Sequence, residues 1–110
     1  MDDRLAMLQQ FLDQNPNDAF ARYGLAMEYS RVGDVPTAME QFHKLLDVHP
    51  DYSAGYFMAA QTLAKASRLE EAKQFLQRGI AAAARTGNSH AKGEMETMLH
   101  ELDAGTDELN

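Results

Sequence analysis

The sequence predicts an all-α fold of about six helices, arranged as successive antiparallel hairpins. Three observations predict it. Apolar residues recur at helical spacing through nearly all of the 110 residues, and no alternating strand pattern interrupts them. Turn-forming residues stand at regular intervals, at Asn15-Pro16-Asn17, Gly33-Asp34, His49-Pro50-Asp51, Ser67-Arg68, Thr86-Gly87-Asn88 and Ala104-Gly105. Pro16 and Pro50 lie 34 residues apart, and side chains match in size and polarity at that same offset along the chain.

The first helix is expected over 2–14 and ends before Pro16, which lacks an N–H and disfavours helical geometry in the residue before it. Asn17 is placed to cap the second helix, 18–32, by accepting from its free N–H groups. Gly33 suits a left-handed C-terminal position, and Asp34 can cap the third helix, 35–48, which Pro36 enters within its first turn. Pro50 closes that helix, and Asp51 is the expected cap of the fourth, 52–66. Ser67 with Glu70 three residues later has the form of a capping box opening the fifth, 69–85. The sixth, 89–103, follows Gly87 and stops at Gly105, leaving 105–110 as an acidic tail. Connections this short force consecutive helices to lie antiparallel.

A chain of this length, 45% apolar, buries a real core as one domain, here 1–104, without disulfides or a metal staple. It has no Cys and no Trp, which removes disulfides, thiolate chemistry, zinc knuckles and iron–sulfur ligation. No apolar run approaches the roughly 20 residues of a membrane span. Met1-Asp2-Asp3-Arg4 has the wrong charge for a secretion signal, so a cytoplasmic protein without membrane contact is expected. The net charge of −7 sits at the ends: residues 1–18 carry −3, residues 101–110 carry −4, and the stretch between is neutral. Nucleic acid needs a basic face to displace counterions, and none is offered. The acidic end reads as a solubilising tail.

At the 34-residue offset Ala26 matches Ala60, Ala38 matches Ala72, Phe42 matches Leu76 and Leu46 matches Ile80. One step back, Leu8 aligns with Phe42 and Leu12 with Leu46, so 1–16 reads as a half unit before full units 17–50 and 51–84. The small residues let helices approach closely while the large ones fill the space between them, and each hairpin must stack on its neighbour to cover its apolar face. Leu25, Ala26 and Tyr29 on a first helix, with Ala38, Phe42, Leu45 and Pro50 on the second, resemble a tetratricopeptide repeat. The next unit offers Tyr56, Ala59, Ala60 and Leu63, then Ala72, Leu76, Gly79 and Ala84. The chain departs from the family at Arg22, where an aromatic is preferred, and at Ala84, where the closing Pro is absent. The helix within 88–103 sits a residue or two out of phase, as a terminal cap would. The resemblance implies a right-handed superhelix.

Signatures of catalysis are absent. There is no G-x-x-x-x-G-K-[ST], no G-x-G-x-x-G, no G-x-S-x-G and no H-E-x-x-H. His90 with Glu94 and Glu96 with His100 have the spacing of helix-surface ion pairs, which metal ligands share, and surface pairing is the expected use. His43 and His49 lie near a helix end, where a cation is favourable. Neither an enzyme nor a cofactor or metal is expected.

By the family resemblance, the first helix of each hairpin lines a concave side. It implies a groove of Phe20, Tyr23, Met27, Ser30 and Arg31 from the first unit and Ala54, Phe57, Gln61, Ala64 and Lys65 from the second. The last helix adds some of Ala91, Met95 and Met98. Phe20, Tyr23 and Phe57 are the aromatic anchors, unless neighbouring helices cover them, and Arg31 with Lys65 forms a small basic rim. Met27, Met58, Met95 and Met98 suit an adaptable surface, though core filling is the plainer use of each. Family members that clamp acidic chaperone tails place Lys and Asn where this chain has Tyr23, Met27 and Met58, with Lys92 as the one match. An apolar segment or amphipathic helix is therefore the expected ligand. The expected function is a non-catalytic module that binds a protein or peptide through Phe20, Tyr23, Met27, Arg31, Phe57, Gln61 and Lys65. The alternative is a self-associating scaffold, a homo-oligomer through the groove or a terminal helix.

Overall fold

The structure, a computed structural model, describes residues 3–109, with side chains described through residue 105. Six helices follow one another: α1 (Asp3–Gln14), α2 (Ala19–Arg31), α3 (Val35–Val48), α4 (Ser53–Lys65), α5 (Leu69–Thr86) and α6 (Ser89–Leu109). Each packs on the next, and α4 also touches α2 and α6. Thus α2, α4 and α6 lie side by side in one layer, backed by α3 and α5. The extents, 45 × 32 × 18 Å, give a thin body about two helices deep.

The repeat offset governs the packing. Ala26 and Ala60, Ala38 and Ala72, and Phe42 and Leu76 are all fully buried, so each pair does the same work one unit apart. Phe42, Leu63 and Leu76 belong to one core that runs from α2 to α6. Leu12, Ala21 and Leu25 form a smaller core between α1 and α2, with Leu5, Leu8 and Tyr29 against it. Burying one such large side chain contributes about 1.5–3 kcal/mol.

Helix ends match the expectation in part. Asp34 caps α3, accepting from the Thr37 N–H at 3.2 Å, and Gly33 has φ +86°. The cap of α2 is Asp18 rather than Asn17; its carboxylate accepts from the Ala21 N–H at 2.8 Å. Asp51 caps nothing: Tyr52 stands at the start of α4, and Asp51 instead accepts from Arg85 at 2.7 Å. The capping box at Ser67 and Glu70 does not form, because Ser67 takes the left-handed conformation at φ 63° and Arg68 becomes the cap. Ser67 occupies the place of Gly33 one repeat later, so the same turn is made without a glycine.

Without a proline at position 84, α5 runs four residues beyond the point that would match the end of α3, until Gly87 stops it at φ +70°. That extra turn is why α6 starts two residues late relative to α4. At its far end α6 does not stop at residue 103. It continues to Leu109, so most of the stretch expected as a tail, 105–110, has a helical backbone; Asn110 lies outside the described residues.

Arg22, where the family prefers an aromatic, anchors the turn before α2. Its Nη2 donates to the Pro16 carbonyl at 2.8 Å and its Nη1 to Oε1 of buried Gln41 at 2.7 Å. One repeat later the Tyr56 hydroxyl donates to the Pro50 carbonyl at 2.7 Å. Two different side chains thus satisfy the equivalent carbonyl. In the second unit Arg78 lies over the Tyr56 and Phe75 rings, at 5.4 and 5.2 Å from their centroids.

Candidate functional site

Two grooves flank α4. The first, about 700 Å³, lies between α2 and α4 and is closed along one side by α1. On α2 the side chains at 20, 23, 27 and 31 recur every three or four residues and so form one stripe. Phe20, Tyr23, Met27, Ser30 and Arg31 line this groove together, with Met58 and Lys65 from α4. Phe20 is 77% exposed. Tyr23 is half-buried and stacks at a tilt on Tyr52, with ring centroids 5.5 Å apart. Burial, and then the proximity of Tyr52, push the Tyr23 phenol above its ordinary pKa. Ser30 and Thr62 tie α2 to α4 by a 2.7 Å hydroxyl contact. Since Thr62 Oγ1 donates to the Met58 carbonyl, Ser30 is the donor in that contact.

The second groove, about 730 Å³, runs between α4 and α6. Phe57 and Gln61 belong to it, with His90, Gly93, Glu94, Thr97, Met98 and Glu101. The seven expected site residues are thus divided by α4: Phe20, Tyr23, Met27, Arg31 and Lys65 on one side, Phe57 and Gln61 on the other. Neighbouring stripes of one helix look into different spaces, which alignment by repeat does not distinguish. Ala54 and Ala91 line a narrow cleft of about 180 Å³ beside Phe57. Ala64 packs against the main core. Met95 is 1% exposed and belongs to the core, not to an adaptable surface. Its sulfur lies over Gly79, in space a Cβ there would need.

Arg4, Leu8, Glu28 and Met58 line the first groove although the expected site omitted them. Glu28 accepts from Arg4 at 3.1 Å and from Arg31 at 2.9 Å, so one carboxylate orders two guanidinium groups. Glu28 and Arg31 stand three residues apart on a helix, a pairing that spacing alone could have suggested. Arg4 and Leu8 enter through the way α1 docks on α2, for which the sequence has no local signal.

His90 lies 3.1 Å from Glu94 as a helix-surface pair, and Glu96 takes Lys92 rather than His100. His49 Nε2 meets the Asn17 carbonyl at 2.7 Å, and the His43 ring packs on Phe75. Among the described residues no group of three His, Asp or Glu side chains is placed to hold a metal ion. No described helix is long and apolar enough to cross a membrane.

A family model described as tetratricopeptide repeat matches residues 29–92. The chain belongs to the tetratricopeptide repeat family. It is similar to a TPR repeat-containing protein of Pseudomonas aeruginosa, 32% identical over 96 residues that span 87% of this chain and 91% of that one. Among solved structures it is similar to protein BPP2914 from Bordetella parapertussis, with TM-score 0.83 and 25% identity, covering 100% of this chain and 95% of the other. It also shares the fold of PcrH, solved in complex with the chaperone binding region of PopD, with TM-score 0.87 and 19% identity over 96% of this chain and 80% of that one. The residues matched by the family model run from the last turn of α2 into the first turn of α6, so they include all of α4, which both grooves flank.

Proposed function

We propose that this tetratricopeptide repeat protein is a non-catalytic interaction module that holds a peptide or helix of a partner protein in the groove between α2 and α4. One observation carries the reading: Phe20, 77% exposed, shares an open groove with Tyr23, Met27 and Met58. A contiguous apolar patch rimmed by polar residues marks an interaction site in a way that a lone exposed apolar side chain does not. PcrH holds a segment of PopD on the same fold, which supports the reading at the level of architecture.

Capture from a native lysate tests it, comparing the parent with Phe20→Ala and Phe57→Ala. A central anchor commonly contributes about 2 kcal/mol, roughly thirtyfold in affinity. Phe20→Ala should lose the captured protein, and Phe57→Ala should lose it only if the ligand extends across α4. Full retention by both folded variants would place the binding surface elsewhere.

A second reading, self-association, is favoured by α1. Met7 is 66% and Phe11 48% exposed, whereas their 34-residue equivalents in α3, Gln41 and Leu45, are 7% and 1% exposed. A second copy seated on that face would bury them. Sedimentation across a wide concentration range decides it, since a monomer throughout removes this reading.

A further inference from the structure

We propose that the groove between α4 and α6 is a second docking surface and that it takes a basic helical segment of a partner protein. That segment carries two cationic side chains two turns apart, with an apolar one between them. The inference does not depend on the α2–α4 groove being occupied. Phe57 and Met98 give the α4–α6 groove an apolar strip, since both are only partly buried where they pack against the core. Glu94, Met98 and Glu101 recur every three or four residues along α6 and so form one wall. Gly93 lies on the same wall. Nothing stands within 4 Å of where its Cβ would be, and its φ is not positive, so neither packing nor backbone conformation calls for a glycine there. A glycine inside a helix weakens it, but the bare wall lets a ligand backbone approach closely.

Charge selects the occupant. Among the described residues no Lys or Arg lines this groove. Glu94 is met by His90, 3.1 Å away and cationic only when protonated, and Glu101 is exposed. Lys65, the one charged residue of α4, lines the opposite groove, and Lys92 is paired with Glu96. Residues 106–110 hold Asp107 and Glu108 and no Lys or Arg, so they bring no positive side chain to this end of α6. The N-terminal helix is remote, since α1 packs on α2 alone. Glu94 and Glu101 are separated by about 10 Å along the helix axis. A helical ligand with cations at i and i+7 matches that separation. The stem of a Lys or Arg can lie along Phe57 while its head meets a carboxylate, whereas an acidic segment is repelled.

Fluorescein-labelled 14-residue peptides with both termini blocked test the proposal by fluorescence anisotropy against the full chain. One carries two Lys at i and i+7 with Leu between them, and in the other both Lys are replaced by Glu. At low salt the Lys peptide should bind about tenfold tighter than the Glu peptide, with the gap narrowing as salt rises. Glu94→Gln with Glu101→Gln should weaken the Lys peptide about tenfold. Glu40→Gln with Asp47→Asn removes the same charge from exposed positions on α3 and should leave binding nearly unchanged. Gly93→Gln should weaken binding without lowering the melting temperature, because its side chain enters open space. Phe20→Ala should have no effect. Equal weakening by the two charge pairs would mean attraction to net charge alone and overturns the proposal. Loss through Phe20→Ala, indifference to Gly93→Gln, or no binding of the Lys peptide at millimolar concentration overturns it as well.

Discussion

Single residues decide how closely the helices of this protein approach. At Gly79 an added Cβ would fall 2.6 Å from Tyr56 Cβ, an atom held by its own backbone, and would also meet the Met95 sulfur. Gly93 has nothing within 4 Å of the same position. Alanine gains about 1 kcal/mol over glycine within a helix, whereas overpacking costs about 1–3 kcal/mol. Gly79→Ala should therefore lower the melting temperature and Gly93→Ala raise it; two shifts of the same sign in thermal denaturation would contradict this packing. The tyrosine pair is a second residue-scale case. Burial first, then Tyr52, raises the Tyr23 pKa, and burial first, then Asp18, raises that of Tyr52. Each neutral phenol therefore contributes stability that is fully present below the unfolded value near 10 and is lost as pH rises through the folded value. Phenolate absorbance of the parent minus that of Tyr23→Phe should show a component titrating above 10. A component at or below 10 would mean that Tyr23 is solvated.

Elements are set by their ends, and there the two repeats solve one problem differently. Gly33 and Ser67 make equivalent turns with positive φ, but a side chain in the left-handed region costs roughly 1–2 kcal/mol. Glycine at that site relieves the strain while adding some entropy to the unfolded chain. Ser67→Gly should therefore raise stability by up to about 1 kcal/mol in urea denaturation, and a loss would show that the Ser67 conformation is unstrained. Arg22 and Tyr56 also share one task by different chemistry. The guanidinium suits a repeat that buries Gln41, and the phenol suits one with Phe75 at the matching position. Arg22→Ala would leave the Gln41 side chain without that donor.

At the scale of the molecule, α6 covers the core on the side of α4 and α5. Its buried side, with Met95 and the partly buried Ala91, Met98, Leu99 and Leu102, packs on the core, while Glu94, Glu96, Glu101 and Asp103 face water. Lys73 strengthens the junction, lying 3.1 Å from Asp103. Deleting residues 88–110 should uncover apolar α5, lower the melting temperature and broaden the transition. An unchanged, sharp transition would show that the first five helices are self-sufficient. The same deletion removes Glu94 and Glu101, which line the second groove.

Hairpin order, helix number and the small-against-large packing at 26, 38, 42, 60, 72 and 76 were legible in the sequence. They depend on periodicity and on a repeated spacing, both of which are local or additive along the chain. Helix starts were less legible, because Asn17, Asp18 and Asp51 all carry capping chemistry and only the backbone's path selects among them. The candidate groove residues could be listed from the sequence, but their division between two spaces could not. A stripe on α4 can face α2 or α6, and rotation about the helix axis, fixed by side chains packed from elsewhere, sends Phe57 and Gln61 to one groove and Met58 and Lys65 to the other. Met95 reads in the sequence as core filling or as groove lining, and the absence of a Cβ at Gly79 is what admits its sulfur to the core. Arg4 and Glu28 meet only because α1 docks antiparallel on α2. Which residues are apolar, charged or small is written in the chain; which of them share a space follows from how the helices pack, since contacts between elements do not depend on sequence distance.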